Sequence, residues 1–375
     1  MRLLDRYLLR ELLVPLGYCL SGFLLLIFAG RLVNELHGLQ EKMLRTGDIA
    51  LFYLVQVPEF LVMILPMALL LALLYTLTNH ARHHEITAIR AAGVSLWRMC
   101  LPYVVVGFGL SLLSFALNEF YVPDSADQAE AIRNRRVPPA PDAPGRNQIR
   151  DLGFNNTGSH RYWPHIAVYN TKTGEMLKPD VLWTQPDGSQ VYLRADRAAY
   201  INGVWTFYNA SKYLGAAHTN SPPVLVLRTN LLAMPEFSET PEQINSEIKI
   251  SSSMSLKAAK KTDVPVLAIL NYRRLHSNLS RSDSAWLDTK LQGRLATPWT
   301  CLVVVLIAIP FGAASGRRNV YVGVAGSVVI FFTYWVMQQV CLALGTGSYV
   351  PPWLGGWLPN LAFGLTGLWL TARVR

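Results

Sequence analysis

The sequence predicts a membrane α-helical bundle of six transmembrane helices, with an exported all-β jelly-roll domain inserted between the third and the fourth. Three observations predict it. Six apolar stretches, at 12–30, 51–77, 99–119, 297–314, 320–344 and 353–372, each approach or exceed the length that a spanning helix needs, about 20 mostly apolar residues. Only 15% of the 375 residues are charged, against about 25% in a soluble domain. Between the third and fourth stretches lies a long polar middle of short β-type runs punctuated by turns. The expected division is 1–122 for an amphipathic N-terminal helix and spans one to three, 123–290 for the exported domain with its return segment, and 291–375 for spans four to six.

The first stretch follows Arg2, Arg6 and Arg10. It is too long for a signal-peptide core and no small-x-small cleavage site ends it, so it reads as an anchor. Ahead of it, Leu3, Leu4, Tyr7 and Leu8 alternate with charges, a pattern suited to a short amphipathic helix on the membrane surface. The second stretch holds Pro58 and Pro66, where a kink or tilt is expected. Orientation follows from Lys/Arg in short loops. Arg82, Arg90 and Arg98 follow the second stretch, Arg317 and Arg318 the fourth, and Arg373 and Arg375 the last. With six spans these segments and the N-terminus share the cytoplasmic side of a bacterial inner membrane, and the middle domain is periplasmic.

In that middle, strands are expected at 166–169, 181–184, 190–195, 198–201 and 204–208, with Asn202-Gly203 as a hairpin turn. Positions 186–189 form a second turn signal, and Pro138–Pro144 reads as an exposed loop. Residues 240–263 are polar and read as a loose return segment. Residues 282–294 read as a helix entering the fourth span.

Charge and motifs exclude several functions. The formal net charge is +10, but the middle is nearly balanced, so the excess flanks the spans, unlike a nucleic-acid footprint. No G-x-x-x-x-G-K-[ST] occurs, so the chain carries no P-loop ATPase site. No nucleophile elbow, H-E-x-x-H or C-x-x-C occurs either. Cys19, Cys100, Cys301 and Cys341 sit in or beside apolar runs and suggest neither disulfides nor a metal cluster. His160, His165 and His218 are scattered among strand and turn residues. His80, His83 and His84 precede Glu85 at helical spacing and read as polar residues at a helix start rather than ligands. No catalytic residue, metal or cofactor is expected.

Two places carry candidate function. The segment from Glu85 to Ser95 predicts a short helix ended by Gly93, with Ser95 capping the next. Ile86 and Ile89 give it an apolar stripe beside Glu85 and Arg90. Two readings stay open: a bare connector, or a helix that docks in another protein's groove. Charge near the membrane is the second signal. Arg31 and Glu35 follow the first span, Glu59 lies in the second, and Glu119 ends the third. They read either as interface anchors and ion pairs or as the rim of a polar cavity.

The chain resembles the permease subunits of the lipopolysaccharide exporter, the LptF/LptG type, and is somewhat closer to the LptG type. The motifs are Leu4-Asp5-Arg6-Tyr7, Leu65-Pro66-Met67-Ala68-Leu69-Leu70, Glu85-Ile86 through Arg90-Ala91-Ala92-Gly93-Val94-Ser95, Ala308-Ile309-Pro310-Phe311-Gly312 and Trp357-Leu358-Pro359-Asn360. The three-helix, exported-domain, three-helix layout matches over the whole chain. The resemblance implies a permease in an ATP-driven exporter of lipopolysaccharide. It pairs with a second permease, sits on a separate cytoplasmic ATP-binding subunit, and passes lipid through the jelly roll to a periplasmic bridge protein. It further implies that the segment from Glu85 to Gly93, with Ile86, Ile89 and Arg90, is the helix seated in the ATPase, and that Arg31 faces the phosphate-bearing lipid. Where the LptG-type pattern has more lysines after the first span, this chain has Glu35 and His37, then Lys42. A reading from another class is a membrane-anchored assembly protein whose β domain binds a partner.

Overall fold

The computed structural model describes residues 3–135, 147–156, 159–185, 189–215, 223–254, 264–276, 279–313 and 320–373. In chain order, the helices are α1 (Leu3–Glu41), α2 (Thr46–Arg82), α3 (Glu85–Ala91), α4 (Leu96–Ala116) and α5 (Val122–Arg133). Strands β1 (Gln148–Asn156), β2 (Arg161–Asn170), β3 (Met176–Thr184), β4 (Gln190–Arg194), β5 (Arg197–Ile201), β6 (Val204–Gly215) and β7 (Val224–Met234) follow. Then come α6 (Pro241–Met254), α7 (Val266–Leu275), α8 (Arg281–Ala296), α9 (Thr300–Ala313), α10 (Val320–Thr346) and α11 (Pro352–Arg373). Contacts divide the chain into a helical unit, 1–136 with 281–375, and a β unit, 137–280. The segment 138–144 and His218 lie outside the described residues.

Among the described residues, five helical stretches are long and apolar enough to cross a membrane: Leu3–Leu36, Thr46–Arg82, Leu96–Arg133, Arg281–Gly312 and Val328–Thr346. The last expected span forms the 22-residue helix α11. Its buried face is Gly355, Gly356, Pro359, Asn360, Gly364, Gly367 and Thr371, small residues that let helix backbones approach closely. Here Asn360 donates to the Ala296 carbonyl (2.7 Å) and accepts from Tyr334 Oη (2.7 Å). Tyr334 in turn lies 2.7 Å from Thr300 Oγ1. These buried bonds tie α8, α9, α10 and α11 together. In the apolar core of this unit, α2 contributes Leu65, Leu69, Leu73 and Leu77, all nearly inaccessible. Gly312 of α9 approaches it so closely that a Cβ there would lie 2.4 Å from Leu77 Cβ.

Two helices are longer than the sequence suggests. The expected separate surface helix at the N-terminus is the first turns of α1, which continues unbroken through Pro15 to Glu41. Proline removes one backbone donor, so the carbonyl four residues earlier loses its partner. That carbonyl belongs to Glu11, and Thr76 Oγ1 of α2 donates to it at 3.0 Å. Beyond α4, one π turn over Leu117–Tyr121 leads directly into α5. The expected boundary at Pro123 thus falls inside a continuous helix. The widened turn, with Val122 N–H bonded to the Leu117 carbonyl, accommodates the proline ring. Arg294 donates to both the Asn118 carbonyl (2.7 Å) and its side-chain oxygen (3.1 Å).

In the β unit the described strands form one antiparallel sheet in which chain neighbours pair, except β4 with β5. β4 and β5 lie end to end between β3 and β6. The Asn202-Gly203 turn forms as expected, with both residues at positive φ and Ile201 opposite Val204. Alternation sends Val191 and Leu193 inward and Gln190, Tyr192 and Arg194 outward. The core is aromatic: Trp163 stacks on Phe154, and Phe237 meets the edges of Trp163 and Trp183. Glu239, fully buried, accepts from Asn156 (2.8 Å) and Arg161 (2.8 Å), while its carbonyl accepts from Trp205 (2.6 Å).

The expected loose return segment is instead α6 over 241–254, with 255–263 outside the described residues. Thr240 and Gln243 form a reciprocal capping box, 2.9 and 3.3 Å, and Pro241 opens the helix with its φ already suited to it. Ile244 and Ile248 then pack on the aromatic core.

Against α7, Glu247 is nearly inaccessible and its Oε2 lies 3.5 Å from His276 Nδ1. Burial pushes the Glu247 carboxyl up to about 7. Burial also pulls His276 down, opposed by its bond to the Tyr272 carbonyl. From pH 4.5 to about 7 the folded chain keeps the Glu247 proton that the unfolded chain has lost, so stability falls as pH rises. His276 acts oppositely, losing stability as pH falls below its unfolded value of 6.5. Raising pH from 5 to 8 is expected to cut amide-exchange protection in α6 and α7 by roughly 2 kcal/mol. Glu247→Gln should abolish that fall. A parent whose protection is flat over this range would refute it.

Candidate functional site

The short helix α3 is fixed by local chemistry at both ends. His84 enters it in a left-handed conformation (φ 57°). At its exit the Gly93 N–H bonds to the Arg90 carbonyl (3.0 Å) and the Val94 N–H to the Ile89 carbonyl (3.3 Å). This pair of bonds needs a residue at positive φ, which Gly93 supplies at 84° without a Cβ penalty. Ser95 then caps α4 by accepting from the Arg98 N–H (3.3 Å).

The apolar stripe of α3 points inward, toward the helical core of its own chain. Ile86 is buried in the helical core and Ile89 packs against that core. Thr87, Ala88, Arg90 and Ala91 are the exposed face. Glu85 turns to its own chain. Its Oε2 lies 2.6 Å from His80 Nδ1 and accepts from Tyr7 Oη at 3.0 Å. Beside this, Arg98 donates to Asp5 at 3.0 Å. Sequence reasoning missed Tyr7, His80 and Asp5, although Asp5 and Tyr7 lie in one of the motifs it singled out. The neighbouring histidines go elsewhere: His83 Nδ1 meets the Asn79 carbonyl (2.9 Å) and His84 is exposed.

The second place is 24 residues beyond Tyr7 on α1. Arg31 Nη1 donates to Gln56 Oε1 at 3.4 Å and lies 3.8 Å from Glu35 Oε1. Its guanidinium sits 4.8 Å above the Phe60 ring. Gln56 is buried and its amide is held by the Phe52 carbonyl (3.1 Å), so α2 presents a fixed acceptor to a cation that stays 42% exposed. Neither contact is bidentate, which leaves the guanidinium fork open to a planar or tetrahedral anion. Glu59 and Glu119 are half-buried. In the β unit, His165 lies 3.6 Å from Asp151 on the surface, and His160 occupies a left-handed turn.

A polytopic helical core interrupted in sequence by an inserted β unit, with an exposed cation on its first helix and a tightly capped helix between its second and third spans, defines an integral membrane protein. The chain belongs to the family described as lipopolysaccharide export system permease LptF/LptG, whose model matches residues 6–373. It is similar to the lipopolysaccharide export system permease protein LptG of Escherichia coli K12, 21% identical over 391 residues, covering 99% of this chain and 98% of the relative. The protein of the same name from Escherichia coli O6:H1 matches equally.

Proposed function

We propose that this permease of the lipopolysaccharide export system draws its lipid from the inner membrane past Arg31 and delivers it through the β unit on the periplasmic side. The chain contributes no ATPase site of its own. A separate cytoplasmic ATP-binding subunit seats against the exposed face of α3, a second permease of the family closes the cavity, and a periplasmic bridge protein receives the lipid. Both termini and α3 are cytoplasmic, in keeping with the Lys/Arg of the short loops. The observation that carries the lipid contact is the half-exposed Arg31, held by Gln56 and Phe60 at the end of the first span. A cation there suits a phosphate-bearing headgroup, and the aromatic ring and buried amide fix its direction.

Arg31→Glu is expected to cut lipopolysaccharide crosslinking from a photoreactive residue at exposed Val33 by at least tenfold, and export with it, while the assembled complex is still recovered. Undiminished crosslinking and export would return Arg31 to the role of an interface anchor.

A further inference from the structure

We propose that Tyr7 and His80 are positioning residues that fasten α3 to the start of α1, so that movement of α3 is delivered to the helix that carries Arg31. The inference rests on the reading that an ATP-hydrolysing subunit seats on α3, and goes beyond it by naming where the movement is received.

Three observations carry it. First, the Glu85 carboxylate is engaged twice by its own chain, by His80 Nδ1 at 2.6 Å and Tyr7 Oη at 3.0 Å, with the Tyr7 and His80 rings 5.8 Å apart. The His80 side chain is only 3% exposed, and its Nε2 is buried with no hydrogen-bond partner among the described residues. A carboxylate only accepts, so Nδ1 carries the proton, and His80 is locked in one tautomer and one orientation by Glu85. Such a histidine is placed to hold a side chain, since its other nitrogen reaches no partner among the described residues.

Second, the start of α4, the helix that follows α3, is also bridged to α1. Arg98, three residues past the Ser95 cap, meets Asp5 at 3.0 Å. The two bridges bracket α3 and land on α1 two residues apart, at Asp5 and Tyr7. Third, α1 is one unbroken helix from Leu3 to Glu41, so Tyr7 and Arg31 are joined by about 36 Å of continuous backbone. Its one internal weak point, the carbonyl freed by Pro15, is pinned to α2 by Thr76. The segment before Pro15 is therefore an arm held by α3. The segment after it carries the cation, and the Thr76 bond supplies a pivot between them.

The test uses the assembled exporter in vesicles and reads ATP hydrolysis and lipid release separately. Tyr7→Phe removes one oxygen atom, His80→Leu removes the donor, and His80→Asn restores an N–H near the position of Nδ1. Recovery of the ATPase subunit and its hydrolysis rate are expected to stay within twofold in all three. Lipid released per ATP hydrolysed should fall at least tenfold in His80→Leu and about three- to fivefold in Tyr7→Phe. His80→Asn should return it to within about threefold of the parent. Should His80→Leu fail to accumulate, Tyr7→Phe alone decides. Unchanged release per ATP, or loss of ATPase recovery in step with release, overturns the inference. A cysteine crosslink from Ala91→Cys to the ATPase separates the two levels. If it does not form in the parent, the docking reading fails and takes this inference with it. If it forms while release per ATP ignores the variants, only the fastening role fails.

Discussion

Ala88→Asp is expected to reduce recovery of the ATP-hydrolysing subunit with this chain at least tenfold, while the chain itself still inserts and folds. Ala88 lies on the exposed face of α3, and its side chain supports nothing in its own chain. A surface substitution of this kind costs within about 0.5 kcal/mol, and a carboxylate early in a helix suits the dipole. A docked partner changes the balance, because an uncompensated charge buried at an interface costs about 3–5 kcal/mol. Every 1.4 kcal/mol is about tenfold in affinity. The measurement is co-purification at matched expression, with Ala88→Ser as the control. Equal recovery of both would remove α3 from the partner surface.

Gly367→Val is expected to lose most of the folded chain from detergent extracts, at least fivefold by monodisperse yield. A Cβ at Gly367 would sit 2.7 Å from the backbone carbon and oxygen of Leu306 and 3.0 Å from the Ile307 nitrogen. These are main-chain atoms of α9, which no rotamer change can move aside. The two helices must separate, and α11 loses the contact that its small-residue face exists to make. Overpacking of this kind costs about 1–3 kcal/mol where side chains can yield and more where they cannot. Gly364→Ala is the matched control, since its nearest neighbour, Val303 Cγ2, is 3.8 Å away. Parent-like yield and thermal stability for Gly367→Val would show that the approach of α9 and α11 is not what holds this end of the bundle.

Much of the architecture is legible because the membrane simplifies the problem. Long apolar runs fix the helices, and Asn202-Gly203 fixes its hairpin through two positive φ values. What failed had specific physical causes. The Thr240–Gln243 capping box was written in the sequence, but the polar composition of 240–263 concealed the helix it begins. β1 and β7 were missed because neither shows simple alternation; β7 is exposed at most positions, including Val224, Leu225, Val226 and Leu227. At α3 the periodicity gave the stripe correctly but not what covers it. Ile86 faces the bundle because α3 lies against α2 and is tied to α1 through the Glu85–Tyr7 bond. Arg31 was visible as a charge at a span boundary, whereas Gln56 and Phe60, which aim it, come from a different helix at a sequence distance that no local pattern encodes.

The pairing order of the β unit has a consequence for how the chain is made. Each strand pairs with strands that precede it: β2 on β1, β3 on β2, β4 and β5 on β3, β6 on β4 and β5, β7 on β6. The sheet can therefore zip up in the order of synthesis, closing only short loops as it goes. Glu239, which ties β1 and β2 to β6, arrives soon after the last strand. The helical unit has the opposite schedule. The face of α2 that includes Leu77 is completed by α9, including Gly312. At about 5–20 residues per second, the ribosome needs on the order of ten seconds or more to travel between those two positions. For that interval the face must be sheltered by lipid or by an insertion helper, while the β unit is already building its ladder.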